Sequence, residues 1–120
     1  MLNIRQARTV SGEVVGYVLS KLEDGVDNSA NSGDSSKHGH ITSISVMRKY
    51  RRLGLAKKLM LNAQQMMKTC YGVSMVSLHV RVSNTAAIHL YTKTLGFRID
   101  HTEKKYYADG EDAYSMQLDL

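Results

Sequence analysis

The spacing of apolar residues along this chain switches between a period of two and a helical period. Short segments rich in β-branched and aromatic residues predict five strands, at residues 14–21, 40–47, 74–80, 97–100 and 113–119. In the last segment Tyr114, Met116 and Leu118 alternate with polar residues, which is typical of a strand with one buried face.

Two other segments have helical spacing. From Leu55, apolar side chains recur every three or four positions and would share one helix face. They are Leu55, Leu59, Ala63, Met66, Met67 and Cys70. We expect this stripe, including its methionines and Cys70, to pack in the core. A second helix is predicted to begin after Ser83 or Asn84 and to end before Gly96. The order β-β-α-β-α-β-β predicts a mixed α/β sheet.

Composition limits the class of protein. The 120 residues fit a single domain with its own core, and residues 22–38 predict a flexible polar loop. No apolar run is long enough for a membrane span, and we expect no signal peptide. The single cysteine excludes an internal disulfide and fits a reducing compartment. The histidines lack metal-ligand spacing, so no metal is expected.

Six cations surround one glycine in residues 47–59, MRKYRRLGLAKKL. This segment links a predicted strand to the long helix, where unpaired N–H groups and the helix dipole favour an anion. Such a glycine-containing turn before a helix is typical of a phosphate site. A solvated basic loop, a nucleic-acid surface and a localisation signal remain alternatives, although nucleic-acid surfaces more often run along an exposed helix. The net charge of +5 also favours an anionic partner.

The segment RRLGLA, at residues 51–56, fits the Q/R-x-x-G-x-G/A signature with which GNAT acetyltransferases hold the pyrophosphate of acetyl-CoA. Further segments resemble the catalytic subunit of NatA-type N-terminal acetyltransferases: GYVLSK, HGHITSISV, VSLHVRVSNTAAIHLYTKTLGF and KYYADGEDAYSM. The resemblance implies a GNAT-like, mostly antiparallel sheet with two central helices. It also implies transfer of acetyl from acetyl-CoA, as co-substrate, to the α-amine of nascent polypeptides.

The same resemblance implies where acetyl-CoA would bind, in a cleft between two splayed strands. Main-chain groups would hold the pantetheine arm and the thioester, and these belong to Ile44, Ser45, Val46 and Met47. The pyrophosphate would be held by Arg51, Arg52, Leu53, Gly54, Leu55 and Ala56. Asn84 would contact the far side of the cofactor.

The resemblance further implies catalytic and substrate-binding residues. Tyr91 matches the tyrosine that protonates the departing thiolate, and is also expected as a buried aromatic residue. His79 shares a strand face with Arg81 and is a candidate general base, although a structural histidine remains the alternative. Arg81 is expected to bind an acidic side chain or the peptide backbone. Tyr106 and Tyr107 resemble paired tyrosines that cover the substrate's first residues, and Tyr107 is also a catalytic candidate.

One part of the chain departs from this family. Its members carry two helices and a strand between the first strand and the GYVL strand, whereas three residues separate Arg8 from Gly12 here. Residues 2–8 are either the usual first strand, joined directly past a deletion, or they fill the place of the second strand and form a hairpin through Ser11 and Gly12. Similarity favours the first for ancestry, and we favour the hairpin for the fold because a tight turn joins antiparallel neighbours without a crossover. Residues 1–120 are then one truncated acetyltransferase domain without the N-terminal helices. A splice form, a gene-model error and a truncated paralogue are equally compatible with this gap.

The resemblance implies a cytoplasmic enzyme that works with a helical-repeat auxiliary subunit at the ribosome. Neither specific nucleic-acid binding nor a membrane partner is expected. Because the two helices that wall the peptide groove are missing, two alternatives stay open. One is an impaired pseudoenzyme that binds acetyl-CoA or the auxiliary subunit, and the other is a lysine or small-amine acetyltransferase.

Overall fold

The computed structural model describes residues 2–24, 37–51 and 54–120. Six strands form a single sheet: β1 (Leu2–Arg8), β2 (Val14–Asp24), β3 (Lys37–Val46), β4 (Met75–Arg81), β5 (Arg98–Glu103) and β6 (Ala113–Asp119). Their order is β1-β2-β3-β4-β6-β5, and all neighbours are antiparallel except β3 and β4. The predicted mixed, mostly antiparallel α/β sheet is therefore confirmed.

Two helical segments complete the fold. α1 (Leu55–Tyr71) connects β3 to β4 after a short 3-10 turn at Arg48–Tyr50. α2 (Thr85–His89) follows β4 and continues as a π-helical turn, Leu90–Thr94. None of the described helices is long and apolar enough to cross a membrane.

β1 and β2 form the predicted hairpin. Gly12 has a φ of +91°, which favours glycine, and its N–H donates to the Thr9 carbonyl at 2.9 Å. The Thr9 hydroxyl accepts the Glu13 N–H at 3.0 Å. Since residues 9–13 make only this turn, no helix lies between the two strands, as the short connection predicted.

The strands beside the predicted polar loop are longer than expected. β2 continues to Asp24 and β3 begins at Lys37, so both ends of the loop predicted over residues 22–38 belong to strands. The ladder extends through the pairs Leu22↔Gly39 and Glu23↔His38, because ladder hydrogen bonds use the main chain and tolerate polar side chains. The rest of that prediction, residues 25–36, lies outside the described residues.

The core lies between α1, α2 and one face of the sheet. Met60 and Met67 are fully buried, as the helical spacing predicted. A Cβ on Gly39 would clash with the sulfur of Met67, so the Met67 side chain occupies the space above Gly39 on β3. Cys70 is a correction, because it is exposed. Cys70 lies in the last turn of α1. Helical spacing identifies the buried face of a helix, but it does not show where along the helix the packing against the sheet ends.

Candidate active site

β3 and β4 separate towards their C-terminal ends. They pair at only three positions, from Gly39↔Val76 to Ile41↔Leu78, although β3 continues to Val46 and β4 to Arg81. The register against β2 passes from Ser43 to Ile41 and leaves Thr42 without a partner. An extra residue of this kind bends a strand. The expected cleft between splayed strands is thus present, with an unpaired main-chain edge on each side.

Two cavities lie along this cleft. The larger has a volume of about 710 Å³ and lies between the end of β3, the start of α1 and α2. The smaller has a volume of about 220 Å³ and is lined by His79, Arg81 and Tyr107. Asn84 and Tyr91 line both cavities. The cleft therefore provides an elongated site whose two ends are chemically different.

The larger cavity ends at the N-terminus of α1. Gly54 precedes the helix with a φ of +76°, and no side chain among the described residues caps this terminus. The Lys58 N–H donates to the Gly54 carbonyl at 3.1 Å, so the N–H groups of Leu55, Ala56 and Lys57 have no acceptor one helical turn earlier within α1. All three residues line the cavity. Free amides at the positive end of a helix dipole fit a phosphate group.

Arg51 also lines the larger cavity. Its Nε donates to the Val46 carbonyl at 2.9 Å, which ties the guanidinium to the end of β3. Arg52 and Leu53, which were also predicted to bind the pyrophosphate, lie outside the described residues.

The predicted pantetheine-binding residues divide into two groups. Ile44, Ser45 and Val46 line the larger cavity on the unpaired edge of β3. Met47 does not line either cavity, and both of its main-chain groups make hydrogen bonds within the protein. Its N–H donates to the Val15 carbonyl at 2.7 Å and its carbonyl accepts the Tyr50 N–H at 2.8 Å. The Met47 N–H is therefore used within the fold, whereas its carbonyl oxygen keeps a second lone pair, and the role of Met47 in binding acetyl-CoA stays a prediction.

His79 lies on the sheet face opposite the helices. Leu78 and Val80 point into the core, so His79 and Arg81 share the other face, as strand parity predicted. The Nδ1 atom of His79 is buried and has no hydrogen-bond partner among the described residues. Burial lowers the pKa of His79, against the opposing effect of Glu103. The imidazole is therefore neutral at neutral pH and able to accept a proton.

Two residues that the sequence analysis missed lie close to His79. The ring centroid of His40, on β3, is 5.5 Å from that of His79, and the His40 Nδ1 is 2.8 Å from the Ser77 hydroxyl. Glu23, on β2, lies 3.8 Å from the same nitrogen. Burial lowers the pKa of His40, although Glu23 opposes this. The alternation in HGHI places His38 and His40 on one strand face, but only the sheet register reveals their neighbours.

Tyr91 lies on the π-helical turn and is buried at 6% exposure. Its ring packs edge-on against Phe97, with centroids 5.9 Å apart. Burial raises the pKa of Tyr91, and Tyr107 adds to this effect. The phenol therefore keeps its proton at neutral pH. Asn84 caps α2 by accepting the Ala87 N–H at 3.2 Å, so its amide has a structural role as well as a place in the cleft.

Residues 104–112, which we call the tyrosine loop, cover His79. The Tyr106 ring stacks on the imidazole with centroids 4.3 Å apart and an interplanar angle of 11°. Tyr107 lies edge-on to Tyr106 at 5.0 Å, and the Arg81 guanidinium lies 4.0 Å from the Tyr107 ring centroid. The structure thus brings together four of the predicted site residues, which are His79, Arg81, Tyr106 and Tyr107. Within the described residues, no cluster of metal-ligating side chains is present.

Comparisons with known proteins agree with this geometry. The Acetyltransferase (GNAT) family matches residues 6–97. The N-terminal acetyltransferase A complex catalytic subunit ard1 of Schizosaccharomyces pombe is 57% identical over 109 residues, which are 91% of this chain and 58% of that protein. The N-alpha-acetyltransferase daf-31 of Caenorhabditis elegans is 56% identical over 109 residues, 91% of this chain and 56% of that protein.

Solved structures are also similar. Chaetomium thermophilum Naa20 in complex with a bisubstrate analogue gives a TM-score of 0.84 at 29% identity, over 98% of this chain and 65% of that one. The NatB acetyltransferase complex bound to CoA and MES gives a TM-score of 0.80 at 29% identity, over 96% of this chain and 71% of that one.

These matches establish the class of protein: the chain belongs to the GNAT acetyltransferase family. Within that family, the similarity to NatA-type catalytic subunits that the motifs indicated is confirmed. The chain spans 58%, 55% and 56% of the length of three curated relatives, from Schizosaccharomyces pombe, Arabidopsis thaliana and Caenorhabditis elegans.

Proposed function

We propose that this chain is the catalytic part of an N-terminal α-amino acetyltransferase that uses acetyl-CoA as its co-substrate. The observation that carries the proposal is the cleft between β3 and β4, because one end has uncapped helix amides and the other has a neutral histidine. The high identity to curated N-terminal acetyltransferases supports the choice of an α-amine as acceptor.

The residues of the larger cavity fit acetyl-CoA. The amides of Leu55 and Ala56, together with Arg51, would hold its diphosphate. The free edge of β3 at Ile44 and Ser45 would hydrogen-bond the amides of its pantetheine arm, as an added strand would. When bound, acetyl-CoA supplies a thioester whose carbonyl carbon accepts the amine.

The smaller cavity holds the groups for proton transfer. The substrate amine must lose a proton before or during attack, and His79 is the neutral base that faces this cavity. Its Nδ1 is buried and has no partner among the described residues, which leaves a nitrogen available for a proton or a bridging water. Tyr91 keeps its phenolic proton and would donate it to the leaving sulfur. Tyr107 lines the same cavity and would contact the substrate's first residues.

The finer aspects of the function are also proposals. The relatives include a catalytic subunit of the N-terminal acetyltransferase A complex, which supports assembly with an auxiliary subunit. We extend this to a helical-repeat partner, to ribosome association and to a cytoplasmic location, on the basis of the same similarity. Nascent polypeptide N-termini would then be the substrates.

A module that binds acetyl-CoA without turnover is the second candidate. It is favoured by the turn at residues 9–13, which stands where the family resemblance implies two helices. The proposed diphosphate site at the N-terminus of α1 does not depend on those helices, whereas one wall of the peptide groove does.

The test uses purified chain, acetyl-CoA and peptides that begin with Ser, Ala, Asp or Glu, and follows the release of CoA. The proposal expects release that depends on a free α-amine, and none with an N-terminally blocked peptide that contains an internal lysine. Thermal stabilisation by acetyl-CoA without any release would support the binding module instead. Release with the blocked lysine peptide would identify a lysine acetyltransferase.

A further inference from the structure

Arg81 makes a dense set of contacts with the tyrosine loop. Its Nη1 lies 2.8 Å from a carboxylate oxygen of Asp109 and 2.9 Å from one of Glu111. The guanidinium also faces the Tyr107 ring at 4.0 Å. Three residues of one loop thus share a single cation on β4.

The two carboxylates are themselves held in place. The second oxygen of Glu111 accepts the Ser83 N–H at 3.0 Å, which joins the loop to the residues before α2. The other oxygen of Asp109 accepts the Glu111 N–H at 3.0 Å. Within the loop, the Tyr107 N–H donates to the Glu111 carbonyl at 3.1 Å. Moving Arg81 towards a substrate would therefore break contacts on both carboxylates.

This arrangement has a consequence for His79. Tyr106 is adjacent to Tyr107 in the loop, and its ring is the one that stacks on the imidazole. Holding Tyr107, Asp109 and Glu111 in place therefore also fixes Tyr106 over the proposed base. Arg81 itself does not contact the reacting atoms. Its contacts with the tyrosine loop affect the geometry of those atoms.

We propose that Arg81 is a positioning residue that, with Asp109 and Glu111, clamps the tyrosine loop over His79, and that it does not bind an acidic side chain of the substrate. The inference rests on the proposed acetyltransferase function.

The kinetic test compares Arg81→Gln and Glu111→Gln with Arg98→Gln, a matched control whose guanidinium pairs with Asp119 on the sheet edge. For peptides beginning with Ser and with Glu, both clamp variants should lower kcat/KM by the same factor. We expect about tenfold, since mispositioning of a site by an ångström is worth up to roughly 10²-fold. The control should stay at the wild-type value.

Two kinetic results would overturn the proposal. One is a loss in Arg81→Gln that is confined to the Glu-initiated peptide. The other is a gain for that peptide in Glu111→Gln, which would mean that freeing Arg81 from its carboxylate creates an acidic-residue site. Arg81→Lys, which keeps the charge and loses the planar fork, should recover part of the activity for both peptides.

A second readout does not require activity. Residues 106–120 contain no lysine or arginine, so a tryptic cut after Lys104 or Lys105 releases, on denaturation, a C-terminal fragment that trypsin shortens by at most Lys105. Brief proteolysis of the folded chain should produce this fragment several times faster in Arg81→Gln than in the wild type or in Arg98→Gln. Equal rates would show that Arg81 does not hold the loop. If the wild-type chain releases no CoA, the proposed function fails while this measurement still decides the clamp.

Discussion

Replacing Gly54 with alanine separates the stability of the α1 terminus from its capacity to bind a ligand. Gly54 has a φ of +76° and a ψ of +11°, and a Cβ built on it meets no atom of the described residues within 4 Å. Steric clash inside the protein therefore contributes nothing. The left-handed conformation itself costs an alanine about 1–2 kcal/mol, part of which is offset by the lower entropy of the unfolded chain.

Gly72, at the other end of the same helix, provides the control. It has a φ of +66° and a ψ of +20°, and its Cβ position is equally open. Alanine at either glycine should lower the free energy of unfolding by about 1 kcal/mol and the melting temperature by roughly 3–6 °C. Because the backbone strain is similar in the two variants, a difference in their ligand affinity is due to the position of the glycine.

Of these two glycines, Gly54 lines the larger cavity and Gly72 does not. Gly54→Ala therefore places a methyl group where the diphosphate is proposed to approach the main chain, and Gly72→Ala does not. Loss of one hydrogen bond to a charged group is worth about 1.5–3 kcal/mol, or roughly 10- to 100-fold in Kd. Isothermal titration of CoA would measure this. Equal affinity in Gly54→Ala and Gly72→Ala would refute the reasoning, whatever the melting temperatures show.

Three further predictions concern the other end of the cleft. His79→Gln should lower CoA release at least tenfold and leave CoA affinity unchanged in the same titration; unaltered release would assign His79 a structural role. As the pH falls, log kcat/KM should decline with a slope of one through the pKa of the substrate α-amine, about 8, and should steepen to a slope of two only below pH 6.5, because burial lowers the pKa of His79. A steeper limb that begins above 6.5, or one that persists in His79→Gln, would contradict this. Tyr91→Phe should slow turnover with little change in melting temperature, since the aromatic ring that packs on Phe97 is kept.

Much of the fold could be predicted because it depends on local pattern. The stripe from Leu55 to Met67 follows from helical period, and Gly12, Gly54 and Gly96 all adopt the positive φ that their turn positions suggested. The β1–β2 hairpin followed from chain length alone, since three residues cannot contain two helices. The ends of the strands were less predictable, because backbone hydrogen bonds between strands continue wherever two main chains lie side by side.

The site was predictable where parity or a local motif defines it. His79 and Arg81 share a face because a strand has a period of two. His40 and Glu23 could not be placed, because their approach to His79 depends on how β2, β3 and β4 are aligned. The pairing of Arg81 with Asp109 and Glu111 was also hidden, since 28 and 30 residues separate these partners. Such contacts follow from the sheet order and not from any local pattern.

The central claim is that the free amides at the start of α1 bind the diphosphate of acetyl-CoA. The most direct measurement is an NMR titration of the backbone amides of the chain with CoA and, separately, with pantetheine, which lacks the diphosphate. We expect CoA to shift the Leu55 and Ala56 amide resonances strongly and pantetheine to leave them in place. Large shifts at these amides with pantetheine, or none with saturating CoA, would contradict the claim.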